Sequence, residues 1–325
     1  MLFNEPVGFK NNCGVRAALE DITYYPYHVH QDILETVCVL DGKYHIFNGV
    51  HELMLSSGDV YFFNPRDCHK LERVSDSGIL LTVQIDLNRY KNHYRRFDKN
   101  GRYDITRDSF FICDSFRYEN KSYLDIRHLR FLLARMLRLY RIGSDLDLED
   151  LTKEFLSHLL DHYQDYYYTR LEDGRYMIVQ QETPVYSHAR YKRIYRILDY
   201  LYENARQKIT LKEVAEKEYL NPSYLSTHIK QVSGLTFSQF LSITRCEDAE
   251  AMLRNTEKTI DKIAREVGFS DRNHLTNQFR RWFFKTPAQY RRELLADLSH
   301  KDRVRFDTFD QDLADLIIES YLDSY

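Results

Sequence analysis

Residues 259–290 read TIDKIAREVGFSDRNHLTNQFRRWFFKTPAQY, and their pattern predicts two short helices joined by a tight turn. Apolar residues recur at helical spacing on both sides of Gly268, which supplies the turn. Ser270 is expected to cap the second helix. Leu275 and Phe279 lie four positions apart on that helix and are predicted to be buried. The stretch therefore predicts a helix-turn-helix.

The second of these helices exposes side chains that suit DNA recognition. The forked hydrogen-bonding groups of arginine and asparagine match the edges of guanine and adenine in the major groove. We predict that this unit contacts DNA through Arg272, Asn273, Thr276, Asn277, Arg280 and Arg281. For one such helix alone, the alternative is a solvated polar face on an ordinary helical bundle.

The same signals occur in a second unit, nearer the amino terminus. Thr210 and Glu213 have the spacing of a capping box, which begins a helix. Asn221 and Pro222 end that helix and begin another, which Gly234 can terminate in the left-handed conformation. This second helix is predicted to bury Tyr224, Leu225 and Ile229 and to contact DNA through Ser223, Ser226, Thr227 and Lys230. Two units in tandem make the ordinary helical bundle the less favoured interpretation.

Residues 237–253 lie between the two units and are consistent with one long helix that holds them apart. Recognition helices that enter successive major grooves on one face of DNA lie about one helical turn apart, roughly 34 Å. A rigid connection of this kind predicts that a single chain covers a long, asymmetric half-site.

The run from Gly268 to Phe283, followed by Thr286-Pro-Ala-Gln-Tyr-Arg291, resembles the signature of the AraC/XylS transcriptional regulators. The resemblance covers roughly residues 191–295 and implies two helix-turn-helix subdomains that bind promoter DNA. The first unit departs from some family members because it offers small hydroxyl side chains in place of larger base-reading ones. We therefore expect the first unit to contribute mainly phosphate contacts.

Charge is distributed unevenly along the chain. Residues 190–295 contain 20 Lys and Arg against 13 Asp and Glu, although the whole chain has a net charge of -3. The basic excess lies where DNA phosphates would bind, and its moderate size predicts salt-sensitive binding that benefits from a homodimer. Residues 296–325 form an acidic extension with 3 basic and 8 acidic residues. Its apolar residues recur at helical spacing at Phe309, Leu313, Leu316, Ile317 and Tyr321. This extension is expected to dock on the basic domain, to bind a partner or to fray.

Residues 1–122 predict a different fold. Short strand-like runs alternate with turn residues such as Gly42 and Gly58, a pattern typical of a small β-barrel or jelly roll. The predicted strands are Val15–Ala18, Leu34–Leu40, Tyr44–Phe47, His51–Leu55, Val60–Phe63 and Ile79–Ile85. The fold class is therefore α+β, with an amino-terminal barrel, a helical connector and an all-α carboxy-terminal domain with two helix-turn-helix units.

Within the barrel, the order His28-Val-His30, Glu35, Gly42, Gly58-Asp59, Pro65 and His69 is similar to the two cupin motifs of ligand-sensing domains in this regulator family. The second motif is incomplete, because the later Gly and Asn of the family are not at matching positions. The resemblance implies that His28, His30, Glu35 and His69 occupy the four positions that hold a metal in catalytic cupins. In sensing domains the same pattern often serves without one, and we predict neither a metal nor another cofactor here.

A small polar effector at the mouth of the barrel is the interpretation that we favour. The predicted effector-binding residues are Arg16, Tyr24, Tyr27, His28, His30, Glu35 and His69. Aromatic faces beside paired polar groups suit carbohydrates, so a sugar or glycoside is the expected effector. The alternative to an effector-binding role for the tyrosines is ordinary core packing. The chain contains 26 tyrosines, so a local cluster of them is weak evidence for a binding site.

Residues 123–167 switch to a helical pattern that Gly143 and Ser144 interrupt, which predicts two helices. They either form a dimerisation element, as the family resemblance implies, or simply cover the barrel. Residues 168–189 are the predicted linker, with a strand around Tyr176–Val179. The DNA-binding domain is then 190–295.

These patterns together predict a DNA-binding transcriptional regulator that responds to a small molecule and is not an enzyme. A metal-dependent cupin enzyme fused to a DNA-binding domain, and a regulator that needs no ligand, are the alternatives. RNA polymerase is a further partner if the protein is an activator. No apolar run reaches the ~18–20 residues of a membrane span, and no secretory signal is evident, so the expected location is cytoplasmic. The five cysteines lack a C-x-x-C spacing and are expected to be reduced packing residues.

Overall fold

A computed structural model of the chain describes residues 5–48, 52–90, 111, 113, 126–163, 166–170, 176–180, 197–198, 200–299 and 304–324. The chain divides into two compact units. The barrel unit comprises Phe3–Asp165 together with His300–Tyr325, and the helical unit contains Tyr166–Ser299.

Ten strands and ten helices are named here from the described residues. In chain order they are β1 (Val15–His28), β2 (Ile33–Asp41), β3 (Lys43–Phe47), β4 (Glu52–Ser56), β5 (Val60–Phe63), β6 (His69–Arg73), β7 (Ile79–Asp86), α1 (Leu87–Tyr90), α2 (Ile126–Ile142), α3 (Asp145–His162), β8 (Tyr166–Arg170), β9 (Tyr176–Gln180), α4 (Leu211–Lys217), α5 (Pro222–Ser233), α6 (Phe237–Asn255), α7 (Ile260–Glu266), α8 (Arg272–Phe283), α9 (Pro287–Ser299), β10 (Arg305–Asp307) and α10 (Gln311–Asp323).

The barrel unit is a nearly closed antiparallel β-barrel, which confirms the predicted fold class. Seven strands follow the order β4-β3-β6-β1-β7-β2-β5. Strand β1 serves both halves, because Val15–Glu20 pair with β7 while Tyr24–His28 pair with β6. The turns at Gly42 and Gly58 have positive φ angles of 87° and 90°, as the sequence predicts.

Two features of the barrel differ from the sequence prediction. Strand β1 continues ten residues beyond the predicted end at Ala18, and β6 was not predicted. The sequence of β6, HKLER, has a single aliphatic residue, so it lacks the alternation that indicates a strand. Its backbone is nevertheless paired on both sides, by β1 and by β3, and this pairing defines the strand.

Helices α2 and α3 form the predicted helical pair, with Gly143 between them at a φ of 72°. Helix α2 packs on β1 and β7. Its buried residues belong to the same hydrophobic core as the barrel strands, together with Phe155 and Leu159 of α3. The helices therefore cover the barrel, and a role in dimerisation stays a prediction.

The acidic extension belongs to the barrel unit. Strand β10 pairs with β1 at Asp21, Ile22 and Tyr24, and α10 packs on α2 with Ala314 and Ile318 buried. Tyr24 pairs with both β6 and β10, so β10 lies on the opposite edge of β1 from β6. The sequence predicts the helical spacing of α10 but not its packing on α2. It does not predict β10, because a three-residue exposed strand has no hydrophobic pattern. Strand β7 pairs with β1 only as far as Glu20. The backbone groups that follow on this edge of β1 are therefore open to pairing with β10.

The helical unit shows the predicted helices with their predicted caps in most places. The hydroxyl of Thr210 accepts from the backbone N–H of Glu213 at 3.2 Å, and the Glu213 carboxylate accepts from the Thr210 N–H at 2.7 Å. Asn221 caps α5, and Gly234 ends it at a φ of 73°. Helix α6 is the long connector and has its own capping box at Thr236.

Two local predictions in the helical unit are wrong. Tyr224 is 45% exposed instead of buried. The cap of α8 is Asp271 instead of Ser270, because the Asp271 carboxylate accepts from the His274 N–H at 2.8 Å. A carboxylate caps as well as a hydroxyl and adds a favourable charge at the amino end of the helix.

The predicted linker also differs in the structure. Strands β8 and β9 pair as an antiparallel hairpin that starts at Tyr166, so the first part of 168–189 has regular structure. The strand predicted around Tyr176–Val179 corresponds to β9 (Tyr176–Gln180). Residues 181–189 lie outside the described residues. No helix among the described residues is long and apolar enough to cross a membrane. All five cysteines are free and buried.

Candidate functional sites

Helices α5 and α8 present nearly the same pattern of exposure. Each begins at a capping side chain, Asn221 or Asp271, and each buries a leucine four positions later, Leu225 or Leu275. The positions between cap and leucine are exposed in both helices. The two units therefore have corresponding exposed faces, although the buried leucine is the only residue that is identical at corresponding positions of the two helices.

The exposed face of α8 contains most of the DNA-contacting residues that the sequence predicts. Arg272, Asn273, Asn277 and Arg280 are exposed, and Thr276 is half-buried beside them. Arg281 is placed differently, because it is half-buried and lines a groove of about 390 Å³ that also involves Phe237 and Ser242. Five of the six residues thus share one face, and the sixth lies beside α6.

The face of α5 is smaller and less charged. Ser223, Thr227 and Lys230 are exposed and Ser226 is half-buried, as predicted. Tyr224 adds an aromatic ring that the sequence prediction assigned to the core. It stacks on His228 with ring centroids 5.6 Å apart. Spacing of an aromatic residue and a histidine at i and i+4 on a helix is the signal that could have indicated this placement.

Electrostatics leave Arg272 of α8 available for DNA. Arg272 lies 3.9 Å from Asp261, and both side chains are more than half exposed, so this pair contributes little to stability. The backbone hydrogen bond from His274 lowers the pKa of the Asp271 carboxyl, so the cap stays charged at neutral pH. The guanidinium of Arg272 can therefore exchange its surface partner for a base or a phosphate.

The closing helix α9 fixes the second unit to the connector α6. The Tyr290 hydroxyl donates to Glu250 at 2.7 Å, and Glu250 forms a buried ion pair with Arg254 at 3.0 Å. Arg291 donates to the backbone carbonyls of Leu253, Thr256 and Lys258, at and just after the end of α6. The Tyr-Arg pair of the family signature thus has a structural role in this chain.

A second candidate site lies inside the barrel. His28, His30, Glu35 and His69 are buried, and one potential ligand atom from each lies within 4.8 Å of the others. His28 and His30 come from the end of β1 and the residues after it, Glu35 from β2 and His69 from β6. His69 lies beside His28 because β6 pairs with β1 at these residues. Glu35 pairs with Phe63 of β5, whose ring stacks on His69.

The hydrogen bonds of the three imidazoles leave one nitrogen of each directed to the cluster. His28 Nδ1 lies 2.8 Å from the carbonyl of Pro26, and His69 Nδ1 lies 3.0 Å from that of Asp67. A carbonyl only accepts, so each Nδ1 carries the proton and each Nε2 has a free lone pair. Within the described part of the chain, the buried Nε2 atoms of His28 and His69 have no hydrogen-bond partner. This is the tautomer that metal-ligating histidines adopt.

His30 and Glu35 form the charged part of the cluster. His30 Nδ1 lies 2.8 Å from the Glu5 carbonyl, while its Nε2 lies 3.0 Å from a Glu35 oxygen. Burial opposes both charges, but the mutual hydrogen bond raises the pKa of His30 and lowers the pKa of Glu35 well below its usual range. For His28 and His69 burial dominates and lowers the pKa, so both are neutral at physiological pH.

Three imidazole nitrogens and one carboxylate are a donor set that fits a divalent transition metal such as zinc, iron, cobalt or nickel. Rings on either side fix the ligands, because Tyr25 stacks on His28 at 3.9 Å and Phe63 stacks on His69 at 4.0 Å. Gln84 donates to Glu35 at 2.6 Å and holds that carboxylate in place. The residues present therefore fit a metal ion.

The remaining predicted effector residues are not all in this cluster. Arg16 reaches it indirectly, through a 3.1 Å hydrogen bond to Gln84, and it pairs with Glu20. Tyr24 and Tyr27 instead share the ammonium group of Lys70, at 4.9 and 5.9 Å from their ring centroids. The structure thus separates the predicted effector residues into a compact cluster, one linked arginine and a distinct aromatic pair.

Comparison with known proteins supports the assignment of the helical unit. Residues 214–293 match the family model described as a helix-turn-helix domain. This part of the chain is an AraC-type helix-turn-helix domain.

Two curated relatives are named as uncharacterized HTH-type transcriptional regulators. One, from Staphylococcus aureus (strain COL), is 25% identical over 285 residues, which cover 88% of this chain and 35% of that protein. The other, YijO of Escherichia coli (strain K12), is 30% identical over 105 residues, covering 32% of this chain and 37% of that protein. The chain thus spans about a third of the length of these relatives.

Two solved structures show likeness over different lengths of the chain. The C-terminal domain of AraT, a response regulator from Geobacillus stearothermophilus, is 30% identical, with 36% of this chain and 91% of that chain covered and a TM-score of 0.29. ToxT from Vibrio cholerae O395 is 12% identical, with 86% of this chain and 98% of that chain covered and a TM-score of 0.42.

Proposed function

We propose that this protein is a sequence-specific DNA-binding transcriptional regulator whose barrel binds an effector. The observation that carries the proposal is the repeated exposed face of α5 and α8 within an AraC-type helix-turn-helix domain. The names of the curated relatives support it, since they are HTH-type transcriptional regulators. In this proposal α8 reads bases and α5 contacts mainly phosphates.

Selection of bound duplexes from a random DNA library by the full chain tests this function. We expect enrichment of a motif with two boxes about one helical turn apart. Affinity for the selected duplex should fall by at least roughly tenfold between 50 and 200 mM salt, because bound phosphates release counterions. A library that stays random after repeated rounds would contradict sequence-specific recognition.

For the effector, we infer that the barrel binds a divalent transition metal ion, whereas the sequence alone predicts no metal. The specific observation is the pair of buried Nε2 atoms on His28 and His69, which have no hydrogen-bond partner among the described residues. An ion would be held by these two histidines, His30 and Glu35. When bound, it supplies a Lewis-acidic point to which an oxygen of a further small molecule can bind.

A carbohydrate effector stays a proposal from the sequence. The four side chains of the cluster contact one another, with the rings of His28 and His69 only 4.0 Å apart, so the space among them suits an ion and not a sugar ring. A sugar would bind beside the cluster instead. The homodimer, and RNA polymerase as partner of an activator, likewise stay predictions.

Coupling between barrel and DNA is tested by measuring affinity for the selected duplex with and without metal. We use chelator-treated full chain, then Zn²⁺ or Co²⁺ alone, and then each ion with a panel of sugars. If the barrel regulates DNA binding, one of these additions should change the affinity by about 5-fold or more. Stoichiometric metal binding with unchanged DNA affinity under every condition would instead favour an enzymatic or structural ion.

A further inference from the structure

The hairpin β8–β9 lies on the helical unit, and one residue of it contacts elements from both helix-turn-helix units. Tyr168, in the middle of β8, is only 7% exposed. Strand β8 packs on α5, and the ring of Tyr168 meets a tryptophan of α8. Tyr168 thus lies between the two proposed recognition helices, with its backbone carbonyl at α5 and its buried ring at α8.

The contact with α5 is made by backbone. Gly234 caps the carboxyl end of α5 in the left-handed conformation. A Cβ atom at this position would lie 2.0 Å from the carbonyl oxygen of Tyr168, closer than any side chain permits. The equivalent position at the end of α8 is Phe284, which has a similar φ of 59° and carries a full side chain. The hairpin therefore requires glycine at the end of α5.

The contact with α8 is made by side chains. The rings of Tyr168 and Trp282 meet edge to face, with centroids 6.0 Å apart and an interplanar angle of 76°. Trp282 is 2% exposed, and its indole N–H donates to the hydroxyl of Ser242 on α6 at 3.1 Å. The Trp282 ring is thus fixed, and edge-to-face pairs in this distance range are favourable.

We propose that Tyr168 is a positioning residue that sets the separation of the two recognition helices. Helix α6 already joins the units along the chain, and Tyr168 adds a second connection between the carboxyl ends of α5 and α8. Two connections fix a separation better than one, because rotation about α6 alone would change it. This proposal rests on the proposed function, since it matters only if both helices bind one duplex.

Tyr168 also has a notable place in the chain. The barrel unit ends its first segment at Asp165, and Tyr168 follows three positions later. The residue that spaces the recognition helices is therefore among the first of the helical unit.

Spacer dependence of DNA binding tests the proposal. The full chain is titrated with the selected duplex and with derivatives in which one or two base pairs are inserted between the two boxes. For the wild type we expect each insertion to weaken binding by roughly tenfold or more, as for a mismatched site. Tyr168→Ala should lose most of this penalty, so that original and inserted duplexes bind within about threefold of each other, while Tyr168→Phe should behave like the wild type.

Several outcomes separate positioning from general stability. If Tyr168→Ala weakens all duplexes by the same factor, the residue is merely structural and the proposal is overturned. If that variant does not fold, Gly234→Ala provides the same test, because its methyl group displaces the hairpin carbonyl. Its control is Gly143→Ala, which has a similar φ of 72° but nothing within 4 Å of the added methyl group.

The proposed function can fail separately. A wild type that selects a two-box motif but tolerates insertions overturns the positioning role alone. A wild type that selects no motif overturns the proposed function, and the positioning role with it.

Discussion

Replacing both Arg272 and Asn277 by alanine is expected to weaken binding to the selected duplex by roughly 2–6 kcal/mol, because each forked base contact contributes about 1–3 kcal/mol. Both side chains are exposed on α8, and the ion pair of Arg272 with Asp261 is a weak surface pair. Little folding free energy should therefore be lost. Titration of the variant with selected and random duplexes measures the effect.

Arg280 provides a matched control on the same helix, because it is also exposed but lies about one turn beyond Asn277. If it contacts a phosphate, Arg280→Ala should weaken binding to every duplex alike. It should also reduce the slope of log affinity against log salt concentration by about one. An equal loss on selected and random duplexes for the double variant would contradict base reading by α8. Thermal unfolding of each variant confirms that the domain is intact.

The second large effect concerns the barrel, which is expected to bind one transition metal ion per chain. An ion present at 100 to 1,000 times its Kd stabilises the folded protein by about 2.7–4.1 kcal/mol, since the unfolded chain lacks the site. His69→Ala should abolish most of this stabilisation, because it removes one of the two neutral Nε2 donors. Metal analysis after dialysis and thermal unfolding with added Zn²⁺ or Co²⁺ provide the measurements.

His45→Ala is the control for that experiment, since His45 is a half-buried histidine on β3 outside the cluster. It should bind metal like the wild type. A wild-type protein without stoichiometric metal, or an unfolding temperature that does not respond to any of the ions, would show that the cluster serves packing only. Comparison of the metal-free forms separates the cost of losing the imidazole from the loss of the ion.

Much of the helical unit could be predicted because its signals are local. Capping pairs such as Thr210 with Glu213 act over three residues, and Gly234 ends a helix by its own backbone conformation. The exposed face of α8 follows from the same local periodicity. Ser270 was the wrong cap only because a neighbouring aspartate does the same task better.

The barrel cluster was predictable in its members but not in its chemistry. The spacing of His28, His30, Glu35 and His69 indicates a common site through the family resemblance. Whether the site suits an ion depends on hydrogen bonds to the carbonyls of Pro26 and Glu5, and on the tautomers that follow. Such contacts form only when distant strands meet, and no local pattern encodes them.

The placement of Arg281 and Tyr224 was likewise decided by neighbours. Arg281 lies in a groove beside α6, and Tyr224 is half exposed against His228. Helical periodicity assigns each position to a side of the helix, but it does not say which neighbouring helix covers that side.

The return of β10 and α10 to the barrel makes the helical unit an insertion within another unit. A fragment cut after Asp165 would leave Ala314 and Ile318 absent from the core and one edge of β1 unpaired. Exposed edges of this kind promote aggregation. Expression of the amino-terminal half alone should therefore yield a poorly soluble product, and the barrel is better isolated by joining residues 165 and 300 with a flexible linker than by truncation.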